Sequence, residues 1–278
     1  MIDYKKYIKN IRRELKTYIT TNGIKSLVLG ISGGADSALA ALLAKPLCDE
    51  LDIPLIGYSI SILTNKTEEE IRAKNIGNNF CTVFETKDFS EMFHQVAFKI
   101  DETNHINVSS KVDKIRHGNI KARLRMIYLY DKASKNNGLV LSTDNYTEYL
   151  LGFWTLHGDV GDFGMIQNLW KTEVYMLANF CYRQCQYSEL KQLAKALKAC
   201  IDAVPTDGLG ITKSDFDQFG DVKSYQEIDQ ILIKMLNSGY GSFIFDGEVP
   251  EVLKRYERTK FKRENPFNIS RETLTEGT

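Results

Sequence analysis

Apolar residues near the start of the chain return at helical spacing, at Ile8, Ile11, Leu15, Tyr18 and Ile19, so an amphipathic helix is predicted that ends near Asn22-Gly23. The period then changes. Residues 27–31 form a continuous apolar run, the pattern of a buried strand, and the runs 55–60, 81–84 and 139–141 read the same way. Helical segments around residues 35–51, 66–79 and 112–135 separate them. Strand alternating with helix predicts an α/β fold, a parallel sheet covered by helices on both faces, with ligand sites at the carboxyl ends of the strands. Beyond Asn145 the strand signal fades into short helices joined by glycine-containing loops at 158–164 and 205–210. No repeat, low-complexity tract or linker interrupts the pattern, so residues 1–278 are expected to form a single domain.

Composition narrows the classes of partner. The 278 residues are 43% hydrophobic and 11% aromatic, ordinary for a compact soluble protein. Lys plus Arg equals Asp plus Glu at 36 each, so no global basic field exists to hold a nucleic acid. Five cysteines, an odd number without the dense spacing of a disulfide scaffold, point to a reducing compartment. Cys181 and Cys185 lie four apart with no Cys or His pair nearby, which argues against zinc. The start of the chain has no apolar signal region, and no run of about eighteen apolar residues occurs, so a cytoplasmic protein without a membrane span is expected.

The chemistry concentrates after the first strand, at Ser32-Gly33-Gly34-Ala35-Asp36-Ser37. Two glycines allow a tight turn, and the apolar stretch that follows begins a helix, so unpaired N–H groups at the helix N-terminus form a nest for phosphate oxygens. The hydroxyls of Ser32 and Ser37 add donors. Asp36 does not suit simple anion binding; beside a phosphate nest a carboxylate implies a divalent cation between them, here Mg2+. No Lys-Ser or Lys-Thr pair follows the glycines, which disfavours γ-phosphoryl transfer of the kinase or GTPase kind. A second segment, Ser142-Thr143-Asp144-Asn145-Tyr146-Thr147-Glu148, follows another strand, and Glu148 can face the same cation. Taken alone, it also reads as Asp144 or Asn145 capping a helix on which Glu148 is exposed.

The first segment resembles the SGGxDS signature of the ATP pyrophosphatase superfamily, whose members split ATP between the α and β phosphates. Further segments resemble the ammonia-dependent NAD synthetases over nearly the whole chain. They are Gly118 to Met126 with Lys121, Arg123 and Arg125, the TDxxxE-like Thr143 to Glu148, and Gly152-Phe153-Trp154-Thr155-Leu156-His157-Gly158-Asp159-Val160-Gly161-Asp162. Trp170-Lys171-Thr172-Glu173-Val174-Tyr175, Pro205-Thr206-Asp207-Gly208-Leu209 and the basic tail with Phe261-Lys262-Arg263 complete the set. The resemblance implies a Rossmann-like sheet of ATP pyrophosphatase type and amidation of deamido-NAD by ammonia through an adenylylated intermediate, yielding NAD, AMP and pyrophosphate. It implies ATP contacts at Gly30, Ile31, Ser32, Gly33, Gly34, Ala35, Asp36, Ser37, Thr143, Lys171 and Thr206, and Mg2+ on Asp36 and Glu148. Arg123, Phe153, Asp162 and Lys262 are the implied deamido-NAD contacts, with Asp36, Asp159 and Lys171 as catalytic groups. Asp159 holds or deprotonates the ammonia, and a homodimer is implied with the substrate site near its interface. Nothing resembles a glutaminase or nitrilase-type module, so free ammonia is the expected nitrogen donor. Three departures fall on the dinucleotide side: Leu156 stands for a lysine, Phe261 for a histidine, and one residue is missing between Gly161 and Asp162. They leave room for another adenylylating synthetase of this superfamily, GMP synthetase-like for example, or for a nucleotide-binding regulator without catalysis.

Overall fold

The computed structural model describes residues 2–63, 65–101, 110–186, 190–206, 214–239 and 249–275. Asp207-Gly208-Leu209 of the Pro205 segment lie outside the described residues. Helix α1 (Tyr4–Asn22) starts where the Asp3 carboxylate accepts the Lys6 N–H and ends at Gly23, whose φ of 64° is the left-handed cap that glycine tolerates. Strand β1 (Ser26–Gly30) follows, then α2 (Ala35–Leu51), β2 (Leu55–Ser61), α3 (Thr67–Phe80), β3 (Val83–Asp88), α4 (Ser90–Ile100), α5 (Lys111–Lys135) and β4 (Gly138–Ser142).

The sheet is parallel throughout, in the order β3-β2-β1-β4 and then β5 (Phe163–Gly164). Chain order reverses between β1 and β4. Such a switch point opens a crevice outside the carboxyl ends of the two strands, because the connections leaving them run to opposite faces. On one face Leu27, Leu29, Leu139 and Leu141 pack against α1, α2, α7 (Lys171–Gln186) and α8 (Lys191–Ile201). On the other, Val28, Ile56, Tyr58 and Val140 pack against Phe93 of α4 and Leu124 and Leu129 of α5. Helix α2 is buried nearly all round, which its run of Ala and Leu permits.

A third apolar cluster joins Leu150 and Leu151 of α6 (Tyr146–Leu151) to α9 (Tyr225–Ser238) and α10 (Glu251–Arg258), with Phe219 after the 3-10 turn Asp215–Gln218. Short helices α11 (Lys260–Arg263) and α12 (Arg271–Thr275) end the described chain.

Three elements differ from the sequence reading. The run 81–84 was expected to be a buried strand, but β3 spans Val83–Asp88 at the sheet edge and is largely exposed; one free side lets Glu85, Lys87 and Asp88 sit in it. Helix α4 interrupts the stretch between β3 and α5, marked only by Phe93 and Ala97, four apart and buried. The expected loop at 158–164 contains β5, two residues that pair with Leu141 and Ser142 of β4. The five cysteines form no disulfide, and burial pushes the thiols of Cys48, Cys81, Cys181 and Cys200 up to about 12. Among the described residues no helix is long and apolar enough to cross a membrane.

Candidate active site

A cleft of about 720 Å³ opens at the switch point, bounded by the turn after β1, the turn after β4 and the C-terminal helices. Every residue expected to serve ATP, metal, catalysis or acceptor lines it, except Gly33, Arg123 and Asp162. A hollow of about 550 Å³ against α1 carries none of the motif residues.

The turn after β1 is held by its own hydroxyls. Ser32 Oγ and Ser37 Oγ lie 3.1 Å apart, Ser32 Oγ accepts the Gly34 N–H at 3.3 Å, and Ser37 Oγ donates to Gly34 O at 3.2 Å. No side chain caps α2 at Gly34, so the positive end of the helix faces the cleft. Gly33 turns away from the cleft, with φ at 82°. A β-carbon there would strike the Glu69 carbonyl oxygen and lie 3.1 Å from Ala73 N, so glycine lets α3 pack directly on the turn. Arg72 of α3 secures this contact by donating from Nε to Gly33 O at 2.9 Å.

Asp36 and Glu148, 112 positions apart in sequence, meet at Lys171. Lys171 Nζ lies 2.7 Å from Asp36 Oδ2 and 2.8 Å from Glu148 Oε1, and the lysine side chain is only 5% exposed. Asn145 caps α6, as expected of its segment, and also reaches Asp36. Its Oδ1 accepts the Glu148 N–H as the α6 cap at 3.0 Å, while its Nδ2 donates to Asp36 Oδ1 at 2.9 Å. The lysine backbone is anchored too: Lys171 N donates to Thr147 Oγ1 at 2.8 Å, and that hydroxyl donates to buried Asp229 at 2.6 Å. Burial pushes the Glu148 carboxyl up against the pull of Lys171, and two adjacent carboxylates hold the lysine well above its ordinary value.

Two further acids face the cleft. Asp159 accepts the Thr155 N–H on both oxygens, at 2.8 and 2.9 Å, and Thr155 donates from Oγ1 to Asn119 of α5 at 2.9 Å. Asp144 accepts the Ser142 hydroxyl at 2.6 Å. Burial raises both carboxyls to about 7.

The other end of the cleft is aromatic and basic. The Arg255 guanidinium stacks 3.8 Å from the centre of the Phe153 ring, and Phe219 meets that ring edge-on. Lys262 donates to the carbonyl oxygens of Gly152, at 2.7 Å, and of Trp154, and burial lowers its ammonium to about 8. Thr206 donates to Glu69 Oε1 at 3.1 Å.

Asp162 stands apart from the acceptor end. Its carboxylate accepts the Val140 N–H at 2.8 Å and the Tyr130 hydroxyl at 3.0 Å, which ties it to the edge of β4. Arg123 points outward and donates to Leu156 O at 3.0 Å. The basic helix segment divides by helical geometry: Lys121 and Arg125, four apart, face inward, while Arg123 lies on the opposite side. Arg125 lines the cleft and donates to Ile60 O and Asn65 Oδ1 at 3.0 and 3.1 Å. The sequence reading missed this role, although the four-residue spacing to Lys121 carried it. It also gave no role to Arg255 of α10.

A family model described as NAD synthase matches residues 7–266. The chain belongs to the NAD synthase family. The NH(3)-dependent NAD(+) synthetase of Thermoplasma volcanium is 29% identical to it over 273 residues, 97% of this chain and 99% of that protein. The protein of the same name from Methanosarcina mazei is 32% identical over 255 residues, 88% of this chain and 90% of its own. The fold is shared with the solved structure of an NMN synthetase from Francisella tularensis, with a TM-score of 0.76 at 24% identity over 97% of this chain and 100% of that one.

Among the described residues of this NAD synthase family member, no group of three or more His, Cys, Asp or Glu side chains gathers for a metal. Asp36 and Glu148 nevertheless both reach one point, the Lys171 ammonium, and two hard oxygen ligands there suit a divalent cation that takes its remaining ligands from phosphate and water.

Proposed function

We propose that this chain uses ATP and Mg2+ to join ammonia to the nicotinate carboxyl of deamido-NAD, releasing NAD, AMP and pyrophosphate. The observation that carries the reading is the meeting of Asp36, Glu148 and Lys171 beside the uncapped start of α2, at the switch point of the sheet. Ammonia does not displace oxygen from a resonance-stabilised carboxylate, so the carboxyl must first be activated. A carboxylate oxygen attacks the α-phosphorus, the bond to pyrophosphate breaks, and an acyl adenylate forms. Ammonia then attacks the acyl carbon, and the bond to AMP breaks.

Each part of the cleft fits a step. The Ser32 to Ser37 turn receives phosphate oxygens on N–H and hydroxyl donors, and Lys171 supplies a positive charge as pyrophosphate leaves. Asp36 and Glu148 would hold Mg2+, which when bound would supply neutralising charge for the phosphates. Asp159, with a carboxyl raised to about 7, is ionised under mildly alkaline conditions and takes the proton that the attacking nitrogen loses. Phe153 and Lys262 offer a ring face and a cation to the acceptor. Most of the acceleration comes from positioning and charge complementarity, since no covalent enzyme intermediate is needed. A homodimer could use the outer side of α5, where Val112, Ile127 and Tyr130 are exposed.

The test is product analysis with purified protein, ATP, Mg2+, ammonium and deamido-NAD. Equal yields of NAD, AMP and pyrophosphate are expected, and Asp36→Ala lowers the rate by about 100-fold or more while circular dichroism stays unchanged. The departures at Leu156 and Phe261 make nicotinate mononucleotide the informative parallel acceptor. Faster amidation of the mononucleotide would keep the adenylylation chemistry and overturn the choice of the dinucleotide. No AMP with either acceptor would overturn the enzymatic reading.

A further inference from the structure

Lys171 stands where a cation shared by Asp36 and Glu148 would stand. Its ammonium touches both carboxylates, at 2.7 and 2.8 Å, and the rings of Tyr225 and Tyr175 close on it at 5.3 and 5.9 Å. The lysine is not a mobile surface group that happened to settle there. Its backbone N–H is tied to Thr147 and through Thr147 to Asp229, and the adjacent Thr172 N–H donates to the other oxygen of Asp229 at 2.9 Å. The ammonium is therefore delivered to the carboxylates from a fixed base.

An ammonium and a divalent cation cannot both lie between these two carboxylates. The side chains of all three groups are at least four-fifths buried, so water screens their charges poorly and like charges at contact repel strongly. With both carboxylates ionised the trio carries one net negative charge. A divalent ion added beside the lysine would reverse that sign among largely buried groups. A phosphate chain changes the balance, because Asp36 lies in the first turn of α2 and phosphates in the nest would offer the ammonium a new anion.

We propose that Lys171 occupies the metal position in the nucleotide-free protein and yields it only when the phosphates of ATP arrive, so that metal and nucleotide enter together. The inference rests on reading the cleft as a site for ATP and Mg2+. It goes beyond that reading by giving Lys171 two alternative partners, carboxylates without nucleotide and phosphate with it. Departure of pyrophosphate with its metal returns the lysine to the carboxylates.

Mn2+ titration followed by electron paramagnetic resonance tests this without turnover. Nucleotide-free wild-type protein is expected to bind Mn2+ at least tenfold more weakly than the protein saturated with α,β-methylene-ATP, after subtraction of binding by the analogue alone. Equal affinity in the two states overturns the proposal, and this comparison needs no variant. In Lys171→Met the nucleotide-free protein is expected to gain at least tenfold in Mn2+ affinity, a gain removed by adding Asp36→Asn. A folded Lys171→Met protein that binds Mn2+ no better than wild type overturns it as well. Failure of the analogue to bind either protein, measured by calorimetry, would instead overturn the ATP reading. The two failures are thus distinguishable.

Discussion

Asp144 accepts the Ser142 hydroxyl and faces the acids Asp159 and Asp36, with burial setting its carboxyl at about 7 rather than 3.8. Between those two pH values the folded protein holds a proton that the unfolded chain has lost. The contribution of this group to stability therefore falls as pH rises through the window and levels off above about 7. Asp159 is raised into the same range, so the two titrate jointly. Asp144→Asn relieves the cost of an ionised buried carboxylate: its melting temperature is expected to exceed that of wild type at pH 8, by the equivalent of about 1–3 kcal/mol, with the gain shrinking toward pH 5. Thermal melts of both proteins across that range check it, and a gain that does not change with pH would place the effect in packing instead. The identity of such groups was legible in the sequence, but their direction was not. Asn145 was legible only as a cap, and the fold shows the same side chain also reaching Asp36.

Elements were legible where burial imposed a period. Helix α2 and strands β1, β2 and β4 are apolar because they lie between layers, and their limits fall within a residue or two of the pattern. Strand β3, exposed at an edge, and two-residue β5 carry no such period, since pairing with a neighbour rather than burial makes them strands. Pro46 lies inside the helix expected over 35–51. It has no N–H to give to Leu42 O four residues back, yet α2 continues to Leu51. The freed carbonyl is supplied from another element: Arg12 of α1 donates from Nη2 to Leu42 O at 3.3 Å and from Nε to Leu43 O at 3.0 Å. Arg12→Ala is expected to destabilise the protein by about 1–3 kcal/mol in denaturant melts, because it strands carbonyl groups beside the core. In a Pro46→Ala background, where an amide N–H returns to Leu42 O, the same substitution is expected to cost less. An equal cost in both backgrounds would mean that Arg12 acts by packing alone.

At the scale of the whole molecule, α5 connects the sheet, the cleft and an uncovered surface. One side packs Leu124 and Leu129 on β1, β2 and β4, and Arg125 from the same helix reaches the cleft. The outer side leaves Val112, Ile127 and Tyr130 exposed, and at 3.6 residues per turn these three and Arg123 fall within about a third of the circumference. Phe98 and Ile100 at the end of α4 are exposed as well. Isolated exposed apolar residues are ordinary, and the grouping of these on one side of α5 beside the end of α4 is the surface on which the proposed homodimer is tested. A second copy of the chain is the partner that the proposed function supplies. Arg123, in the middle of that grouping and bound to Leu156 O, would then lie between that copy and the 155–159 turn that holds Asp159. Ile127→Asp is expected to shift the protein from dimer to monomer in light scattering at micromolar concentration, with little change in the melting temperature of the monomer. Arg123→Ala is expected to leave the dimer intact and raise the acceptor KM several-fold more than the ATP KM, since the arginine holds the 155–159 turn through Leu156 O and not the turn after β1. A wild-type protein that is already monomeric would remove the interface. A larger rise in the ATP KM would move Arg123 to the nucleotide end of the cleft.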